Sequence, residues 1–401
     1  MQSVRLIALF WDLKTSLIMT SFAMAKNDYK QALKLLARSR NVLVSGPPGT
    51  GKSRLLAEVA LAFETAFGLT SSGIPKLNPV GGIPIPPVPE AVEDIPAPNK
   101  SDRKVFRTVF HQNSKYRDFV SGITPAVNKK AGSSDFTIVK GTLYRASEHV
   151  KSTNGAALLI IDEINRGPAV QVFGGAIVAI EPDKRLALDG TKRAETQFFE
   201  ILDPNTGDVI EYALPHDLYI LAAMNQADAS VEPLDVAFLR RWEPLRLEPD
   251  ETALRGFYGL DAKSADPLPH MPASVNDILE ASVRALVAIN KQIALGRGPE
   301  FQIGHGVLMS HVKPQTLSLF DALGTLCVGW AKVRAHVEEV FFGDTRGIAA
   351  VLNALDGPAF NPFEFTEATF ANDLRFRLEG PTNFTENNIY SALRAFAHPR
   401  E

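Results

Sequence analysis

The sequence predicts an α/β protein, a parallel β-sheet flanked by helices and followed by a small all-α domain, on three observations. Apolar runs of strand length, "NVLV" at 41–44 and "ALLIID" at 157–162, read as strands buried on both faces. Such runs alternate with helix-length amphipathic stretches, the pattern of parallel strands joined by helical crossovers. From about residue 251 the character changes to long helical segments, "SVNDILEASVRALVAINKQIAL" and "PQTLSLFDALGTLCVGWAKVRAHVEEVF".

The bulk numbers are those of a globular chain of two or three domains: 401 residues, 45% hydrophobic and 22% charged. A formal charge of -3 gives no global attraction to nucleic acid, so any such contact needs a local basic patch or a partner. The single cysteine, Cys327, cannot form an internal disulfide and suits a reducing cytoplasm. At the N-terminus, Asp12 and Lys14 split the apolar stretch, so no membrane segment is read, and Met19 and Met24 leave a later start open, with residues 1–26 either a poorly fixed extension or a packed helix.

Taken in order, "NDYKQALKLLARS" (27–39) has helical apolar spacing behind an Asn cap, and "NVLVSG" is a buried strand. "SRLLAEVALAFETAF" is the helix that follows. The Pro- and Gly-dense stretch 71–104 can propagate neither helix nor ladder and reads as a surface insertion. Beyond it "VFRTVFHQ" is strand-like, "GTLYRASEHVKS" helix-like, and "GAALLIID" and "DLYILAAMN" are buried strands. These place an α/β domain over 27–250 and a helical region over 251–401. Seven phenylalanines between Phe360 and Phe396 have no motif, with core packing as the default and a docking surface as the alternative.

The chemistry begins at "SGPPGTGKS" (45–53), which fits G-x-x-x-x-G-K-[ST] between a strand and a helix. Across the candidate loop Gly46, Pro47, Pro48, Gly49, Thr50 and Gly51, the glycines let backbone amides close on phosphate oxygens. Lys52 reaches the outer phosphates and Ser53 can hold magnesium. "ALLIIDEINRG" supplies Asp162 and Glu163 at the end of a buried strand, the first to hold Mg2+ and the second to polarise the attacking water. Asn225, ending the apolar run "LAAMN", can position that water. Arg240 and Arg241 end "PLDVAFLRR" and would face a neighbouring subunit's nucleotide if the protein forms a ring; a helix C-terminus stabilised through its dipole is the alternative.

Together "GPPGTGKS", "FHQNSKYRDFVSGITP", "LLIIDEINRG", "FGGAIVAIEPDKR", "LAAMNQADAS" and "LDVAFLRRW" resemble the McrB branch of the AAA+ NTPases and, more distantly, the MoxR-type proteins. The resemblance runs from about residue 27 to 310, "FQIGHGVLM" included. It implies an AAA+ P-loop domain followed by a small helical lid, ATP or GTP as substrate with Mg2+, and a homo-oligomeric, hexameric ring. Within it Lys52, Ser53, Asp162, Glu163 and Asn225 take the phosphate-loop, acidic-pair and sensor roles, and Arg241, before Trp242, is the leading arginine finger. Asn165 and Arg166 match the polar pair that follows the acidic residues in this branch.

The resemblance also implies two hairpins, in "SGITPAVNKKAGSSDFTIVKG" and "QFFEILDPNTGDVIEYALP". Lys129, Lys130, Lys184, Lys192 and Arg193 would then meet nucleic acid or an acidic partner near a pore, or form a solvated charged face. Gln226 and Ala229 depart from the branch's "MNTADRS", a motif tied to its GTP preference, which leaves ATP or GTP open with ATP favoured as the usual AAA+ nucleotide, and Gly304, His305 and Gly306 stand where a lid arginine is expected. With 1–26 ahead of the nucleotide domain, target recognition and cutting are expected on a separate effector or nuclease subunit. The expected function is a cytoplasmic motor of a restriction-like or anti-phage defence complex. The alternative is a MoxR-like chaperone remodelling a client protein.

Overall fold

The computed structural model describes residues 28–65, 95–126, 136–227, 234–260, 266–309 and 314–399. Two compact units emerge, one of Asn27–Gly46 with Lys52–Leu247 and one of Glu248–Glu401 with the loop tip Pro47–Gly51.

The first unit is built on a five-stranded parallel sheet in the order β2-β5-β8-β1-β9. Its strands are β1 (Asn41–Ser45), β2 (Arg103–Val109), β5 (Ala156–Asp162), β8 (Leu218–Ala223) and β9 (Glu243–Arg246). Successive side chains point to opposite faces, and here both faces are covered. Val42, Val44, Leu158, Ile160, Tyr219 and Leu221 pack with Leu33, Leu36, Val59 and Phe63 of α1 (Asp28–Ser39) and α2 (Lys52–Thr65). Leu43, Leu159, Ile161, Ile220 and Ala222 pack with Leu143, Ala146, Val150, Phe173, Phe238 and Trp242 on the other side. Burial on both faces is why these strands read as continuous apolar runs rather than alternating ones.

Two antiparallel hairpins branch from this unit. Ser121–Pro125 (β3) pairs with Phe136–Lys140 (β4) ahead of α4 (Thr142–Thr153), and Phe199–Leu202 (β6) pairs with Val209–Tyr212 (β7) ahead of β8. Most of the Pro-rich insertion, residues 66–94, lies outside the described residues, and β2 starts at Arg103, inside the 71–104 range expected for it. Arg103 is drawn inward because its guanidinium donates to the carbonyls of Phe63, Ala97 and Pro96.

The second unit packs α8 (Glu251–Tyr258), α9 (Val275–Gly296), α10 (Leu319–Val340), α11 (Thr345–Val351) and α12 (Ile389–Phe396) around Ile289, Leu326, Trp330 and Leu393. α9 starts on a capping box between Ser274 and Asp277. Trp330 Nε1 donates to Ser282 Oγ at 2.9 Å, which satisfies both groups in the core. Unlike the all-α region expected, this unit carries a hairpin of Glu364–Phe370 (β10) and Asp373–Glu379 (β11). Phe365 and Phe376 stack across it, whereas Phe363, Phe384 and Phe396 are buried in the core. The Phe-rich stretch therefore divides between a hairpin and a core rather than serving either alone. Burial pushes the Cys327 thiol up to about 11, as befits a packed side chain. Among the described residues, no helix is long and apolar enough to cross a membrane.

Candidate active site

β1 delivers the chain into the phosphate-binding loop at Gly46, whose φ is +152°. A Cβ there would lie 2.3 Å from the carbonyl oxygen of Leu247, so a side chain has no room. Gly49 and Gly51 also have positive φ, +79° and +91°, and Thr50 Oγ1 closes the turn by donating to Pro47 O at 2.8 Å. In the second unit, Gly304 N donates to Pro48 O at 2.8 Å and Gly306 N to Gly49 O at 2.9 Å. A Cβ on Gly304 would come within 2.0 Å of the Gly49 carbonyl carbon, the steric reason for a glycine in "GHG". His305 Nδ1 accepts from Asp250 N at 3.0 Å, a structural bond at the start of α8.

α2 starts at Lys52, so the positive end of a helix follows the loop directly. Lys52 Nζ donates to Gly46 O at 2.7 Å. Burial pushes its ammonium down to about 8, although Glu163 and Asp162 pull in the opposite direction. That pull ties Lys52 electrostatically to the acidic pair at the end of β5. Ser53 is exposed on the first turn of α2.

Past Asp162 the chain turns sharply: Glu163 adopts φ +53°, a left-handed conformation unusual for a non-glycine residue, and its amide donates to Asp162 Oδ1 at 3.0 Å. The turn aims Glu163 at the neighbouring strand. Asn225 Nδ2, two residues beyond β8, donates to Glu163 Oε1 at 2.9 Å and Oε2 at 3.0 Å. Arg166 Nε lies 3.3 Å from Oε2. Asn165 Nδ2 in turn donates to the backbone carbonyl of Asn225 at 2.7 Å, fixing the chain that carries the amide. The remaining oxygens of Asp162 and the Ser53 hydroxyl are hard donors of the kind Mg2+ takes.

Lys52, Asp162, Glu163 and Asn225 thus form one connected group; the paired arginines stand apart from it. They follow a single helical turn, α7 (Val236–Leu239), capped by Asp235, and not the longer helix expected. The Arg241 carbonyl accepts from Asn41 Nδ2 at 3.2 Å, and β9 begins at Glu243 opposite Val42. Asn41 is the first residue of β1, whereas the phosphate loop follows its last, roughly 13 Å further along at 3.3 Å per residue. Arg241 is nearly buried and its Nε lies 2.8 Å from Glu181 Oε1, an electrostatic contact rather than an aligned hydrogen bond. Arg240 is exposed, and no carboxylate of the described residues lies within ion-pair distance of it.

Of the basic residues singled out near the hairpins, Lys184 is paired with Asp183 at 3.1 Å, and Lys192 and Arg193 are exposed. Lys129, Lys130 and Ala229 lie outside the described residues. Sequence reasoning assigned no role to Asn41, Glu181 or Arg185, although the last two close the motif "FGGAIVAIEPDKR". Their only signal was charge in an otherwise apolar motif.

Residues 97–242 match the AAA domain of the dynein-related subfamily. The chain is 26% identical over 329 residues to the "Type IV methyl-directed restriction enzyme EcoKMcrB subunit" of Escherichia coli, covering 78% of this chain and 56% of that protein. It is 30% identical over 252 residues to the "Type II restriction enzyme BsuMI component YdiS" of Bacillus subtilis, covering 59% and 65%. The chain therefore spans less than two thirds of the length of each of these relatives. A solved structure of NtrX from Brucella abortus aligns over 87% of this chain and 68% of its own at 13% identity, with a TM-score of 0.32.

Proposed function

We infer, for a chain of the McrB-like branch of AAA+ proteins, a ring-forming nucleoside triphosphatase that drives a restriction-like or anti-phage defence complex. The observation that carries the hydrolytic part is the Glu163 carboxylate held by Asn225 beside Lys52 and Asp162. Lys52 and the loop amides bind the triphosphate. Glu163 accepts a proton from the attacking water, and the Asn225 amide keeps the carboxylate oriented while it does so. Ser53 and Asp162 would hold Mg2+, which would supply neutralisation of the phosphate charge.

Ring formation rests on the placement of Arg240. It stands at the end of β1 opposite to its own phosphate loop, roughly 13 Å of strand away, while an arginine side chain spans about half that distance. Arg240 therefore serves a neighbouring copy, and it takes the finger role from Arg241, whose side chain is committed to Glu181. ATP is favoured over GTP because Gln226 departs from the branch's loop. A separate nuclease or target-reading subunit is the partner, by analogy with the restriction systems named for the two relatives.

The test is phosphate release with ATP and with GTP in parallel, with mass in solution measured in each nucleotide. Nucleotide-dependent assembly and turnover are expected, with Arg240→Ala keeping assembly and losing turnover. Turnover by a monomer, or full activity in Arg240→Ala, would refute the ring. ATP-specific turnover would extend the partner search to chaperone clients.

A further inference from the structure

Arg185 is fully buried, and among the described residues no carboxylate neutralises it. Its donors go to neutral oxygens: Nε to Ile180 O at 2.9 Å, Nη2 to Ile180 O at 2.7 Å and to Asn41 Oδ1 at 2.6 Å, and Nη1 to Leu218 O. An ion held without a counter-charge costs several kcal/mol, and a Met of similar length would fill the same space without that cost. Burial accordingly pushes the guanidinium down to about 9.

Following the bonds outward shows what this arginine holds. Ile180 O also accepts Asn41 Nδ2 at 2.8 Å, and Asn41 Nδ2 donates again to the carbonyl of Arg241 at 3.2 Å. Ile180 is followed by Glu181, whose Oε1 meets Arg241 Nε at 2.8 Å. Arg241 Nη1 donates back to Ala237 O in the same short turn. Main chain and side chain of Arg241 are thus clamped from one five-residue stretch, Glu181–Arg185, with Asn41 between. The adjoining residue, Arg240, is left exposed, with no carboxylate of the described residues within ion-pair distance.

α7 is one turn long, too short to orient an arginine by its own hydrogen bonds. We propose that Glu181 and Arg185 are positioning residues that brace the Arg240–Arg241 turn so that Arg240 meets the nucleotide of the neighbouring subunit. This rests on the reading of Arg240 as an arginine that acts on another copy. The brace acts on the neighbour's site and leaves the chain's own nucleotide site untouched.

That asymmetry makes it testable by mixing full-length chains. Glu163→Gln lacks turnover at its own site but offers an intact Arg240 to its neighbour. Glu181→Gln, a near-isosteric change at a partly exposed residue, and Arg185→Met are each measured alone and mixed with Glu163→Gln, with Arg240→Ala as the reference. Alone, each brace variant is expected to lose about tenfold or more of turnover with nucleotide affinity unchanged. Mixed with Glu163→Gln, each should recover part of that turnover, as Arg240→Ala does.

Undiminished turnover in Glu181→Gln would overturn the brace. So would recovery by Arg240→Ala together with none by Glu181→Gln, which leaves the reading of Arg240 standing. If Arg240→Ala itself is fully active, or is not rescued, that reading falls and the brace falls with it. Should Arg185→Met not fold, Glu181→Gln carries the test alone.

Discussion

Replacing Asn225 with Ala removes the one amide that holds both oxygens of Glu163, at 2.9 and 3.0 Å, while leaving Lys52 and the loop unchanged. Hydrogen bonds to a charged group are worth about 1.5–3 kcal/mol when partly buried. If that orientation is needed only as the proton moves, the whole loss falls on the chemical step. At 1.36 kcal/mol per factor of ten, turnover should drop about 10- to 150-fold. Nucleotide affinity should change by less than about twofold, because Asn225 Nδ2 is committed to Glu163. Arg166, at 3.3 Å from Oε2 and half exposed, supplies only partial compensation. Continuous phosphate release gives kcat, and fluorescent-nucleotide titration gives Kd. A weakened Kd with kcat intact would refute the role, since it would put the Asn225 amide on the phosphates instead of the base.

Other consequences are equally direct. Lys52, at about 8 in the free site, should be pulled back to full charge by bound phosphates. Its contribution to binding is then complete below pH 8 and lost as pH rises toward the bound-state pKa; calorimetry in buffers of different ionisation enthalpy should record proton uptake above pH 8, absent in Lys52→Met. Gly46→Ala forces a Cβ to 2.3 Å from Leu247 O and should reduce nucleotide affinity about tenfold or more with the fold retained by circular dichroism. In the helical unit, Arg255 donates to Glu251 at 2.9 Å and to both oxygens of Glu280 at 2.8 and 2.9 Å, so Arg255→Met should cost about 3 kcal/mol in denaturant unfolding. Burial opposes ionisation of Glu280, but Arg255 and Arg284 hold it below the usual carboxylate range. Its stabilisation is therefore full above that range and lost as pH falls through the lowered value, a loss that Arg255→Met should blunt.

The phosphate loop, the acidic pair and Asn225 were legible because each is a local event. "SGPPGTGKS" needs glycines where φ is positive, as at Gly46, Gly49 and Gly51, and an apolar strand must end in its carboxylates. The periodicities of α9 and α10, and the continuous runs of β1, β5 and β8, likewise depend on neighbours in sequence. By contrast, β10 and β11 escaped notice because a hairpin with few buried positions has no strong alternation, and its Phe365–Phe376 contact spans eleven residues.

Short windows of sequence carry the fold class, the order of the main strands and helices and the motifs of the candidate site, since hydrophobic period and backbone chemistry are properties of near neighbours. Packing between distant segments is what separates two adjacent arginines, one paired and one exposed. Arg240 and Arg241 are indistinguishable as neighbours in "LRRW", and what separates them is Glu181 and Asn41, 60 and 200 residues away, which clamp one and leave the other to solvent. Burial and ion pairing are set by partners brought together through the sheet, and no local pattern encodes them.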